Sequence, residues 1–136
     1  TNPNNPTGTY LPKSQIDELV AGLPDHVVMI YDEVYYQYAD AADYVRAVPY
    51  VVAGKNVIAI NSFSKAYGLA GLRVGYSYST PEIAQYLQTL RRPFMINSLS
   101  MGAAIAALED DDFIKATVDL IHQEKTYLYV KEICAF

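Results

Sequence analysis

The chain has 136 residues, 51% of them apolar and 18% charged, the balance of a globular chain long enough to bury a core and not of a disordered one. Fifteen acidic residues against ten basic give a net charge of −5, and the basic residues form no cluster, which argues against a nucleic-acid partner. The single cysteine, Cys134, excludes an internal disulfide, and no apolar run reaches the length of a membrane span.

The chain opens on "TNPNNPTG", dense in the residues that build structured turns. "SQIDELVAGL" follows, with Ser14 and Asp17 in capping-box spacing. Ile16, Leu19, Val20 and Leu23 form one helical face there, and Gly22 and Pro24 close it. "HVVMIYDE" is a short continuous apolar run that turns acidic, the pattern of a buried strand in a parallel sheet. "DYVRAVPYVVAG" predicts a short helix interrupted at Pro49. "NVIAINSFS" and "LRVGYSYS" predict a second and third buried strand.

Thr80 and Pro81 open the next helix, with Ile83, Leu87 and Leu90 inward. "SLSMGAAIAAL" is a helix of small residues, and a long helix follows from the acidic Asp110–Asp112, a complement to its dipole and not a metal site. His26 and His122 have no Cys or His neighbour at ligand spacing, so no metal is expected. Cys134 reads as a small helix residue. Because the chain starts inside a turn motif and stops inside a helical stretch, it reads as a piece of a longer protein.

Strands alternating with helices predict an α/β fold, a mostly parallel sheet with flanking helices. Ligands of such sheets sit beyond the carboxyl ends of the strands. Three polar clusters are expected there: Asn5 with its turn, Asp32 to Tyr35, and Ser62 to Lys65.

Lys65 lies among small residues in "SFSKAYGLAGLRVGY". An amine desolvated there, near a guanidinium such as Arg73, favours its neutral, nucleophilic form, and the natural product with an aldehyde is a Schiff base. Ser62 and Ser64 offer hydroxyls, and Arg73 offers a planar fork suited to phosphate. A phosphorylated aldehyde would be held at both ends. Asp32, a carboxylate at a strand end, needs a cation; the protonated ring nitrogen of pyridoxal phosphate is one, and keeping it protonated makes the ring an electron sink. Tyr35 and Asn5 could each hydrogen-bond the ring's phenolic oxygen. Each fragment alone has a plainer structural reading as turn, cap or solvated lysine. Their joint occurrence in this order favours the chemical one.

Together "NPNNPTG", "YDEVY" and "SFSKAYGLAGLRVGY" resemble the fold-type-I pyridoxal-phosphate enzymes, the class I/II aminotransferases, with the nearest likeness to histidinol-phosphate aminotransferases. The resemblance covers essentially all of residues 1–136, as a partial cofactor-binding large domain that lacks the family's N-terminal part and C-terminal small domain. It implies that Lys65 holds the cofactor and shuttles the α-proton, and that Asp32 pairs with the pyridine nitrogen. It further implies that Tyr35 and Asn5 bond the ring oxygen, and that Ser62, Ser64 and Arg73 hold the phosphate. Asn4 and Tyr36 stand beside these positions but out of register.

The implied reaction moves an amino group from an amino acid or amino-alcohol phosphate to a 2-oxo acid, in amino-acid (histidine) biosynthesis. The implied enzyme is a cytoplasmic homodimer with no nucleic-acid or membrane partner, and the piece alone is expected to be inactive. Two alternatives stand beside it. One is a pyridoxal-phosphate lyase, such as a threonine-phosphate decarboxylase. The other is the aminotransferase-like sensor domain of a transcription regulator, to which the acidic balance lends no support.

Overall fold

The computed structural model describes residues 1–133, with side chains through Lys131; Cys134 lies outside the described residues. Three strands form one sheet in the order β1 (Met29–Asp32), β2 (Val57–Ser62), β3 (Gly75–Tyr78). β1 and β2 run parallel, with Met29 opposite Val57 and Asp32 opposite Ile60. β3 runs antiparallel to β2, with Ser62 opposite Gly75. The α/β class is as expected, and the third strand makes the sheet mixed.

Glycine at 75 is what lets β3 lie against β2. A Cβ there would meet the Asn61 carbonyl oxygen at 2.8 Å, closer than any side chain tolerates without moving a strand.

Helix α1 (Lys13–Ala21) buries Ile16 and Val20. These pack with Tyr31, Val57 and Ala59 of the sheet and with Val45, Ala47 and Tyr50. Of the expected helical face, Leu19 remains 48% exposed. The expected capping box does not form. The helix begins at Lys13, after Pro12, so Ser14 lies inside its first turn. Asp17 is taken instead by Lys13 Nζ at 2.6 Å and the Tyr50 hydroxyl at 2.8 Å. Pro49 does not interrupt α2 (Val48–Val52) but sits in its first turn, where a missing N–H costs nothing.

The continuous apolar runs predicted strands buried on both faces. The structure covers one face only, because α1 and α2 lie on the same side: Ile30 is 62% exposed and Ile60 36%. Likewise the Leu87 and Leu90 face of α3 (Pro81–Thr89) is exposed and no residue of that helix is buried.

A second cluster forms past the end of β2. Phe63, Val74 and Ala104 are buried together, with Tyr67, Leu72 and Tyr76 packed around them. Ala104 belongs to α4 (Ser98–Leu108), which Asn97 caps by accepting the Ser100 N–H at 2.8 Å. The Ser100 hydroxyl donates to the Leu72 carbonyl at 2.9 Å. Helix α5 (Asp111–Ile133) opens with Asp111 and Asp112 in its first turn, and Asp110 Oδ1 accepts the Phe113 N–H at 3.0 Å.

Candidate functional site

Because β1 and β2 are parallel, Asp32 and Ser62 end their strands at the same edge of the sheet. The N-terminal turn is clamped to that edge by Asn2, which is buried to 4% exposure. Its N–H donates to the Asp32 carbonyl at 2.8 Å, its amide nitrogen to Tyr31 Oη at 2.7 Å, and its amide oxygen accepts the Leu11 N–H at 2.8 Å. Nothing in the sequence singled out Asn2, which looks like one more turn residue; its partner Tyr31 lies 29 positions away.

Asn4 and Asn5 both border one cavity beside this clamp, and they differ in what they bond. Asn4 folds back into its own turn, donating from Nδ2 to Thr7 Oγ1 at 2.7 Å and accepting the Gly8 N–H at 2.9 Å. Asn5 points outward, and its Nδ2 donates to Tyr35 Oη at 2.8 Å. Tyr36, the neighbour of Tyr35, is turned elsewhere, its ring 3.7 Å beneath the Arg46 guanidinium.

Asn5, Tyr35, Ser64 and Lys65 line one cavity of about 750 Å³. Lys65 Nζ lies 5.6 Å from the centre of the Tyr35 ring. The turn that carries Lys65 is fixed by Ser62 Oγ, which accepts the Ser64 N–H at 3.0 Å. Lys65 itself is exposed, not desolvated as expected from its small neighbours.

The far wall comes from α5. His122 lies with its Nε2 3.4 Å from the Tyr38 carbonyl, and Lys125 Nζ donates to Asp40 Oδ2 at 3.4 Å. No sequence signal placed this helix at the cavity, since its contacts span more than 80 positions. Burial raises the Tyr38 phenol above its ordinary pKa, and Tyr35 nearby adds to the effect.

Asp32, Ser62 and Arg73 are not among the residues lining this cavity. Asp32 stands half-buried at the same edge, where Oδ1 accepts the Val34 N–H at 3.1 Å. Arg73 has a left-handed backbone, φ 53°, and donates from Nη1 to the Ala70 carbonyl at 3.1 Å. It lines a larger cavity of about 950 Å³ with Ser77, Leu87, Phe94 and Met95. That cavity is the roomier of the two and has Arg73 and Arg91 in its wall, but it holds neither a lysine amine nor a tyrosine phenol of the kind gathered around Lys65. The chemistry therefore singles out the smaller one.

The residues of the smaller cavity fit a flat phosphorylated aldehyde. An amine faces a paired phenol and amide, a hydroxyl stands beside them, and the volume exceeds that of a single aromatic ring with its substituents.

Comparison with known proteins follows the same line. The family of class I and II aminotransferases matches residues 1–131. A histidinol-phosphate aminotransferase 2 of Pseudomonas fluorescens is 47% identical over 83% of this chain and 30% of its own length. One of Methylococcus capsulatus is 48% identical over 86% of this chain and 32% of its own. The crystal structure of histidinol-phosphate aminotransferase from Sinorhizobium meliloti in complex with pyridoxal-5'-phosphate superposes with a TM-score of 0.86. It is 35% identical, over 93% of this chain and 34% of that one. The chain thus spans about a third of the length of these relatives.

Proposed function

The chain belongs to the family of class I and II aminotransferases, and from that membership we propose that it forms the cofactor-holding part of a pyridoxal-phosphate-dependent aminotransferase. The reaction we propose transfers an amino group from an amino-alcohol phosphate such as histidinol phosphate, or from a similar amino acid, to a 2-oxo acid. The likeness to histidinol-phosphate aminotransferases supports that donor class. The observation that carries the reading is the meeting of Asn5, Tyr35 and Lys65, drawn from three separate segments, around one cavity.

When bound, the coenzyme supplies an electron-poor ring that stabilises negative charge on the carbon bearing the substrate's amine. Lys65 would hold the coenzyme through its ε-amine and, once the substrate's amine takes its place, would be the base that takes the α-proton and the acid that returns it. Its exposure leaves that amine reachable by a substrate entering from solvent.

Tyr35 Oη accepts from Asn5, so the hydroxyl's own proton is free to be donated across the cavity. That donor suits the ring's phenolic oxygen. Asp32, whose Oδ1 accepts from the turn and which stands outside the cavity lining, is assigned to the ring's protonated nitrogen on the strength of the family motif. Ser64 lines the cavity, and Ser62 orders the turn beneath it. Both, with Arg73, are assigned to the phosphate on the strength of the family motif.

A cytoplasmic homodimer belongs to the same reading, and gel filtration of the full-length protein tests the dimer. No described helix is long and apolar enough to cross a membrane.

Borohydride reduction of the full-length protein loaded with pyridoxal phosphate, followed by peptide mapping, tests the central assignment. The label is expected on Lys65. Label on Lys13, Lys55 or any other lysine refutes it. Release of carbon dioxide from a phosphorylated amino acid, without amino transfer, would favour the lyase instead.

A further inference from the structure

Glu33 is fully buried, with 0% exposure, and the chemistry described so far makes no use of it. A carboxylate out of water is costly unless donors and a cation meet it. Five donors do. Oε1 accepts from Arg46 Nη2 at 3.0 Å and Nε at 3.2 Å, from Asn61 Nδ2 at 3.0 Å and from the Tyr78 hydroxyl at 2.6 Å. Oε2 accepts the Ala47 N–H at 2.8 Å. Since every partner is a donor, only a group that is all acceptor satisfies them. An amide of the same shape would set its NH2 against one of the five.

The five donors come from different places: Asn61 from β2, Tyr78 from β3, and Arg46 and Ala47 from the segment that leads into α2. The backbone of Glu33 adds a further tie, its N–H donating to the Ile60 carbonyl at 3.1 Å. One side chain therefore fixes the end of β1 against both other strands. Asp32 precedes Glu33 directly, Tyr35 follows two residues later, and Asn61 directly precedes Ser62. Arg46 extends the contact to the other side of the turn, lying over Tyr36. Burial pulls the Arg46 pKa down, but the bond and charge of Glu33 outweigh it, and the net shift is upward.

We propose that Glu33 is a positioning residue for the site: its buried carboxylate, gathered by Arg46, Asn61 and Tyr78, sets the Asp32–Tyr35 turn against the Ser62–Lys65 turn and so the grip on the coenzyme. The inference rests on the functional reading given above. A carboxylate kept only to hold the strands together would make the same contacts. The two roles differ in what else moves when the network is weakened.

The test uses the full-length protein and three variants, Glu33→Gln, Arg46→Lys and Tyr78→Phe. Tyr78→Phe removes the shortest of the five bonds and keeps the ring, so it folds even if Glu33→Gln does not, and it then decides the question alone. Three quantities are read: the dissociation constant for pyridoxal phosphate, the pH midpoint of the bound coenzyme's visible absorbance, and the urea midpoint. The expected result is coenzyme binding weakened about tenfold, the scale of one lost bond to a charged group. A displaced absorbance midpoint and a kcat that falls more than KM rises should accompany it. Variants that lower the urea midpoint but leave affinity and absorbance midpoint at the wild-type values overturn the positioning role. A wild-type protein that binds no coenzyme overturns the functional reading instead, and this inference with it.

Discussion

Lys65 donates to no acceptor among the described residues and is exposed, so the fold has little invested in it. Lys65→Ala should therefore leave the urea midpoint of the full-length protein unchanged, since exposed substitutions away from packing are nearly neutral. The same variant should abolish amino transfer and borohydride labelling, as read by coupled assay and peptide mapping. A different result is expected for the pair Asn5 and Tyr35, joined at 2.8 Å. Asn5→Ala and Tyr35→Phe should each weaken coenzyme binding, and the double variant should be less harmful than the sum, with a coupling of about 1 kcal/mol. Strict additivity in that double-mutant cycle would show that the bond does not serve the site. That Asn5, Tyr35 and Lys65 come together was legible in the sequence because each sits in a short motif with fixed internal spacing. Glu33 and Asn2 were not, because what makes them matter is a set of donors and acceptors up to 45 and 42 positions away, and nothing local marks a carboxylate as fully buried.

At the scale of elements, the register between β2 and β3 carries the Lys65 turn, since β2 ends at Ser62 opposite Gly75. Gly75→Ala places a methyl group 2.8 Å from the Asn61 carbonyl oxygen, and backbone can yield only by shifting a strand. We expect a loss of about 1–3 kcal/mol, the range for overpacking, measured by urea unfolding. Asn61 also holds Glu33 through its side chain at 3.0 Å, so coenzyme affinity should fall with stability in this variant. Equal stability of Gly75→Ala and wild type would mean that the two strands are looser than their register implies. Strand existence was readable from the apolar runs, but the direction of β3 was not: a run of apolar residues looks the same in either sense. One-sided burial was equally hidden. "HVVMIYDE" has no alternation, and which face is covered depends on where α1 and α2 pack. Pro49 predicts an interruption only if α2 begins well before it; the helix begins at Val48, which no local residue marks, and puts the proline in the first turn.

At the scale of the molecule, thirteen tyrosines are many for 136 residues, and most are not at the site. Tyr31, Tyr36, Tyr38, Tyr44, Tyr50, Tyr67, Tyr76 and Tyr78 all have raised pKa values, with burial the leading cause in each. For Tyr50 a hydrogen bond to Asp17 adds to burial, and for Tyr78 one to Glu33. A phenol whose pKa is higher folded than unfolded binds its proton more tightly in the native state. That contribution is fully present below the unfolded value of about 10 and is lost as pH rises through the folded values. Stability should thus be insensitive to these groups near neutrality and fall steadily above about pH 10. Lysines also lose charge in that range, so the slope alone does not identify the tyrosines. Tyr78→Phe does: it lowers stability at neutral pH by deleting the bond to Glu33, yet it removes one of the phenols that must ionise, so its loss of stability with alkalinity should be shallower than that of wild type. Urea midpoints of the two proteins across an alkaline series should therefore converge as pH rises. Parallel curves would mean that Tyr78 keeps its proton no more tightly in the folded chain than in the unfolded one.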